Sequence, residues 1–134
     1  MKRRLSESLL LFFSVAKWGV LATVIGLLVG GGTALFLKAL DRGIASVSKI
    51  EFYWLLLPAA LFVSSLLVRY FAPAAEGHGT EKVIEAVHKR SGRIAPAVVP
   101  IKALATLVTL SFGGSAGKEG PSAQIGAGIS SIFA

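Results

Sequence analysis

The sequence predicts an all-α protein that crosses a membrane more than once and carries broken, re-entrant helices. Three observations lead there. The first is composition: 54% of the 134 residues are hydrophobic and only 16% are charged, with a mean hydropathy of +0.72. A soluble domain would carry roughly a quarter charged residues. The second is an uncharged run over residues 18–37, which meets the length of about 20 residues needed to span a hydrocarbon core. The third is the stretch FGGSAGKEGPSAQIGAG at 112–128, where six glycines and one proline surround a single carboxylate, Glu119. So much glycine breaks a helix, and broken helices persist in a membrane only where the loose backbone lines a cavity or is buried in protein.

Charge and residue counts remove other classes. No cysteine is present and only two histidines, His78 and His88, so neither a disulfide framework nor a metal centre is indicated. No cofactor is implied. The formal charge of +7 comes from basic residues that mostly flank apolar runs, which describes a membrane protein with cytoplasmic positive ends. With no basic face interleaved with aromatics, nucleic acid is not an expected partner. The lipid bilayer is.

Residues 1–17 begin MKRR and continue LSESLLLFFSVAK. They read as an amphipathic interfacial helix, with Leu5, Leu9, Phe12 and Ala16 on one stripe and Lys2, Arg3 and Arg4 among the head groups. The other reading is a signal peptide, with Ser14 and Ala16 near a cleavage point. It is disfavoured because a second long apolar segment follows at once. Residues 18–38 form the first span, bounded by Lys17 and Trp18 at one interface and Lys38 at the other. Within it Gly26, Gly30 and Ala34 recur every four residues, a spacing that lets another helix approach closely. A polar connection is expected at 41–51. The second span covers 52–70, with Phe52, Tyr53 and Trp54 as an aromatic belt and Pro58 as a candidate kink.

Residues 72–93, APAAEGHGTEKVIEAVHKRSGR, change character. The breakers Pro73, Gly77 and Gly79 precede Thr80, a candidate N-cap, and a short helix over 79–91. Its last turn carries His88, Lys89 and Arg90, and Gly92 suits its stop. This segment is too short and too charged to span. Two spans before it place it on the side of the N-terminus, which its basic excess assigns to the cytoplasm. A further apolar helix is expected over 96–112, with Lys102 snorkelling from near its start, and a new helix over 119–134. Pro121 and Glu119 both suit a first helical turn. Two breaks, near 77–79 and 117–120, therefore aim helix N-termini inward. In transporters that arrangement marks the site of an anionic substrate.

The string Gly117-Lys118-Glu119-Gly120-Pro121, followed by Gln124-Ile125-Gly126, resembles the G-K/R-E-G-P signature of the CLC family of chloride channels and chloride/proton antiporters. Gly77-His78-Gly79-Thr80 stands where that family usually has G-S-G-I-P, and the order of helices matches its opening part. The resemblance implies an inverted-repeat membrane fold, of which this chain is expected to be an N-terminal fragment unable to form a complete pore alone. It implies transport of chloride or a similar anion, with protons as a second partner in antiporters, in a homodimer in a prokaryotic-type inner or plasma membrane. By the same resemblance Glu119 is the gating glutamate, its carboxylate competing with the anion. The backbone N–H groups of Lys118, Glu119 and Gly120 would bind the anion at the external position, and those of Gly79 and Thr80 are left to do the central binding where the His78 ring turns away. Lys118 either adds positive potential or merely reaches water. His78 departs from the family's serine: its ring either donates to the anion or turns away, which leaves selectivity open.

Two rivals come from other classes. GGSAGK suggests a phosphate-binding loop, but that motif needs glycine at 112 and Ser or Thr at 119, where Phe112 and Glu119 stand. No Ser/His/Asp set or carboxylate pair points to other catalysis, so an enzyme is not expected. The remaining alternative is a small membrane protein that acts only through helix association, using Gly26, Gly30 and Ala34.

Overall fold

A computed structural model describes residues 2–133, with side chains from residue 11 onward. Five α-helices follow one another: α1 (Lys2–Val47), α2 (Leu57–Phe71), α3 (Gly79–Arg90), α4 (Val98–Ser111) and α5 (Glu119–Ile132). Short 3-10 turns at Tyr53–Leu56 and Pro73–Ala75 complete the chain. Leu11–Val47 and Tyr53–Phe71 are long and apolar enough to cross a membrane.

The helix α1 corrects the expected division into an interfacial helix (1–17), a span (18–38) and a polar connection (41–51). It runs unbroken for 46 residues, about 69 Å at 1.5 Å per residue. The reason is local. No proline occurs before Pro58, and each glycine, the run at 30–32 included, costs a helix only about 1 kcal/mol. The helix stops at Val47, where Ser48 and Ile50 N–H groups close a turn onto the carbonyls of Ile44 and Val47. Pro58 also behaves otherwise than expected: it lies in the first turn of α2 and starts that helix without kinking it.

Packing places α4 and α5 at the centre. α1 lies against both, α2 against α4, and α3 against α5. One buried cluster joins Phe36 and Leu40 of α1 to Ile125 of α5, with Val99, Ala103, Leu110 and Ile129 around it. A second joins Ala72 and Ala75 to Val98. Helices approach closely where a side chain is missing: a Cβ at Gly32 would meet Ile129, and one at Gly43 would meet Ser111. Gly26, Gly30 and Ala34 do not form this face. A Cβ at Gly26 or Gly30 meets open space, and Ala34 is exposed. The packed stripe is one register round the helix.

Large apolar side chains cover the outside, among them Leu11, Phe12, Phe13, Trp18, Leu27, Trp54, Phe62 and Phe71. Exposed apolar surface of that extent is what lipid contact requires.

Candidate functional site: a cavity between two helix N-termini

Each break has an identifiable cause. α4 ends in a Schellman motif: Gly113, at φ 90°, donates its N–H to the Leu110 carbonyl, and Gly114 donates to Thr109. The chain then turns through Ser115, Ala116 and Gly117 to start α5 at Glu119. The earlier break follows α2, passes Pro73–Ala75 and Gly77 at φ 77°, and starts α3 at Gly79. The expected N-cap, Thr80, is already inside that helix. His78 holds the cap position, and its side chain makes no capping bond.

The two helix starts meet. A Cβ at Gly79 would overlap the backbone carbonyl of Gly120 and touch Gln124, so only glycine permits the approach. A cavity of about 1200 Å³ opens beside this contact, and both starts line it. His78, Gly79 and Thr80 come from α3, and Gly117, Glu119, Gly120 and Pro121 from α5 and its approach. Thr106 and Thr109 of α4 and Ser64, Ser65 and Arg69 of α2 face it as well. The first i→i−4 bonds are Lys82 N–H to the His78 carbonyl and Ser122 N–H to the Lys118 carbonyl. The N–H groups of Gly79, Thr80, Glu119 and Gly120 therefore precede the helical ladder and remain available as donors. Proline at 121 has none to give.

Of the predicted site residues, the structure brings together His78, Gly79, Thr80, Glu119 and Gly120. It does not bring Lys118, which is exposed and lies outside the cavity lining; its carbonyl accepts bonds from Ser122 N–H and Oγ. Glu119 is exposed in this chain, and its Oε2 folds back over Gly117. The ion pairs among the described residues all converge on Glu85 of α3, from Lys82, Lys89 and Arg90. The Lys82 ammonium, hydrogen-bonded to that carboxyl, holds it below the usual carboxylate range. His88 is exposed, its Nδ1 2.9 Å from the Ile84 carbonyl oxygen.

Two residues given no such role by the sequence reading hold the site in shape. Lys102 does not snorkel. Its side chain is buried, at 8% exposure, and its Nζ donates to the carbonyls of Ala75 at 2.9 Å and Gly77 at 2.8 Å. Gln124, 1% exposed, donates from Nε2 to the Ala74 carbonyl at 3.0 Å. One side chain from α4 and one from α5 thus grip the carbonyls of Ala74, Ala75 and Gly77 in the first break. The signal for Lys102 was present, because a lone charge in an apolar helix is functional by default. The signal for Gln124 was its place in the motif, five residues beyond Glu119.

Comparison with known proteins agrees with this geometry. The family model described as voltage gated chloride channel matches residues 59–134, more than half of the chain and all of the cavity-forming breaks. A chloride/fluoride channel protein of Pseudomonas syringae is 31% identical, over 96% of this chain and 28% of its own length. An H(+)/Cl(-) exchange transporter of Klebsiella pneumoniae is 30% identical, over 82% of this chain and 26% of its own length. That of Salmonella arizonae is 33% identical over the same shares. The chain thus spans little more than a quarter of the curated relatives it matches. No solved structure matches. A helix break of the G-K-E-G-P type, a second break gathered against it and a family match across both lead to one assignment: this chain belongs to the CLC family of chloride channels and exchangers, which are membrane proteins and not enzymes.

Proposed function

We propose that the chain supplies the opening part of an anion pathway, passing chloride or a similar halide, with Glu119 as its gate. The observation that carries this is the abutment of two helix N-termini, at Gly79 and Gly120, over a cavity that Glu119 also lines. Free N–H groups and the aligned peptide dipoles favour an anion there. A halide and the Glu119 carboxylate compete for the same donors, so protonating Glu119 frees the site and links proton to anion occupancy. Because Lys118 lies off the cavity, the donors are assigned to Gly79, Thr80, Glu119 and Gly120. His78 holds the cap position of α3 at the cavity, its ring makes no capping bond, and it is positioned to add a ring donor. The inverted-repeat fold, a cytoplasmic N-terminus and a homodimer belong to the same reading. Gly26, Gly30 and Ala34, unused inside this chain, are then left for a neighbouring helix.

The relatives' names include both a chloride/fluoride channel and proton/chloride exchangers, so the test separates these. The intact gene product is reconstituted in liposomes, and chloride, fluoride and proton fluxes are followed. Chloride or fluoride flux is expected from wild type. Proton movement against a gradient marks exchange, and Glu119→Gln is expected to abolish it while anion flux continues. Identical behaviour of wild type and Glu119→Gln sinks the gate.

A further inference from the structure

We infer that His78 makes anion binding in this cavity depend on pH by a route separate from Glu119, its protonated ring holding the anion more tightly than its neutral one. The inference rests on the anion-pathway reading above and deepens it.

His78 stands immediately before the free N–H groups of Gly79 and Thr80 and lines the cavity with them. Its backbone is committed to the helix. At φ −68° and ψ 124° it has the extended geometry of an N-cap, and its carbonyl accepts the Lys82 N–H. Its ring makes no capping bond and is left to serve the cavity. A neutral imidazole has one N–H donor and one lone pair, which repels an anion; a protonated one has two donors and a positive charge. A hydrogen bond from a charged donor is about twice as strong as one from a neutral donor. Imidazole ordinarily changes charge between about pH 5 and pH 8. The charged groups that share the cavity are Arg69 from α2, Glu76 from the first break, Lys102 from α4 and Glu119 from α5, and Glu81 and Lys82 follow on α3 itself. The positive groups and the start of α3 repel a ring proton, and the negative ones, a bound anion included, attract it. Proton and anion therefore bind together. Half-saturating chloride is lowest at the acid end of the imidazole range and rises as pH climbs through it. Glu119 acts with the same sign by a different means: its protonation removes a competitor, whereas that of His78 adds a partner.

The two are separated in the intact gene product carrying Glu119→Gln, which has no gate proton left to titrate. Half-saturating chloride is read from liposome flux across the imidazole range. The rise in unfolding midpoint on adding chloride is read in detergent at the same pH values, since a ligand of the folded state stabilises it by mass action. His78→Asn, His78→Ser and Glu76→Gln are then added to that background one at a time. Asn and Ser both suit an N-cap, so α3 keeps its start. In Glu119→Gln alone, half-saturating chloride is expected to rise about five- to tenfold from the acid to the alkaline end, the difference between a charge-assisted and a neutral hydrogen bond. Either His78 substitution flattens the profile at the weaker value, and the chloride-dependent rise in midpoint loses its slope with it. Glu76→Gln leaves the slope in place. A flat profile in Glu119→Gln alone makes Glu119 the sole proton-sensitive group and overturns the inference. So does a slope that survives both His78 substitutions, a slope that disappears with Glu76→Gln, or loss of folded protein in both His78 variants. Wild type without anion flux is a separate result, and it removes the parent reading instead.

Discussion

Gly77 and Gly79 lie two residues apart and are required for different reasons. Gly77 has φ 77° with open space around its missing Cβ, whereas Gly79 has ordinary helical geometry and no space. Gly77→Ala is expected to cost about 1–2 kcal/mol of left-handed strain, and Gly77→Asn less, because asparagine tolerates that region. Gly79→Ala forces apart α3 and α5 at Gly120, an overpacking cost of about 1–3 kcal/mol, and Gly79→Asn costs more still. Unfolding midpoints of the four variants check the pattern, and a Gly79→Asn variant milder than Gly79→Ala contradicts the contact. The opposite sign is expected at Ser111, whose buried hydroxyl lacks a partner beside Gly43. Ser111→Ala removes that unpaired group and is neutral or stabilising by up to about 1 kcal/mol.

Residue types made the breaks legible in advance. Glycine and proline density marked both, and the lone acid at 119 marked the start of α5. Lys102 and Gln124 were less legible because their partners, the carbonyls of Ala74, Ala75 and Gly77, lie 25 to 50 residues away in sequence. Nothing in local pattern reports a backbone carbonyl that needs a donor.

At the scale of whole helices, α1 carries more than one small-residue stripe, and its contacts inside this chain use only one of them. The sequence offers small residues at 26, 30 and 34 and also at 32 and 43. Only the second set, with Phe36 and Leu40 between them, meets α4 and α5. Spacing alone cannot choose, because the choice depends on where Ile129 and Ser111 stand on other helices. Gly32→Leu is accordingly expected to destabilise the α1–α5 contact by about 1–3 kcal/mol, while Gly26→Leu leaves that contact intact. Thermal unfolding combined with cysteine cross-linking of Phe36→Cys to Ile125→Cys reads the contact directly; equal loss of cross-linking in both leucine variants refutes the assigned face. In α3, the Lys82 bond that depresses Glu85 adds stability that is present above the ordinary carboxylate range and disappears as pH falls through the depressed value. Glu85 is solvated, so the Glu85→Gln variant is expected to show only a slightly flatter acid limb of the stability curve.

For the molecule as a whole, the organising event is the gathering of two breaks that lie about forty residues apart in sequence. Composition announced the membrane and the helices, and the motif announced the family. The junction itself is held by side chains that reach across the fold: Lys102 from α4, Gln124 from α5, and Ser131, whose Oγ accepts the Ile94 N–H at the entry to α4. Gln124 offers the sharpest probe, because its Nε2 is bonded while its Oε1 is buried without a partner. Gln124→Glu replaces the donor by a carboxyl that can donate to the Ala74 carbonyl only when protonated. Burial raises the folded-state pKa of such an acid above its unfolded value. The variant's stability is therefore largest at low pH, below the unfolded pKa, and is lost as pH rises through the raised one. Gln124→Leu loses the same bond but has no proton to titrate, so its deficit against wild type is flat across that range. Unfolding midpoints at several pH values distinguish the two. If Gln124→Glu tracks Gln124→Leu at every pH, residue 124 does not hold the first break, and the junction must be kept closed by Lys102 and the glycine contact alone.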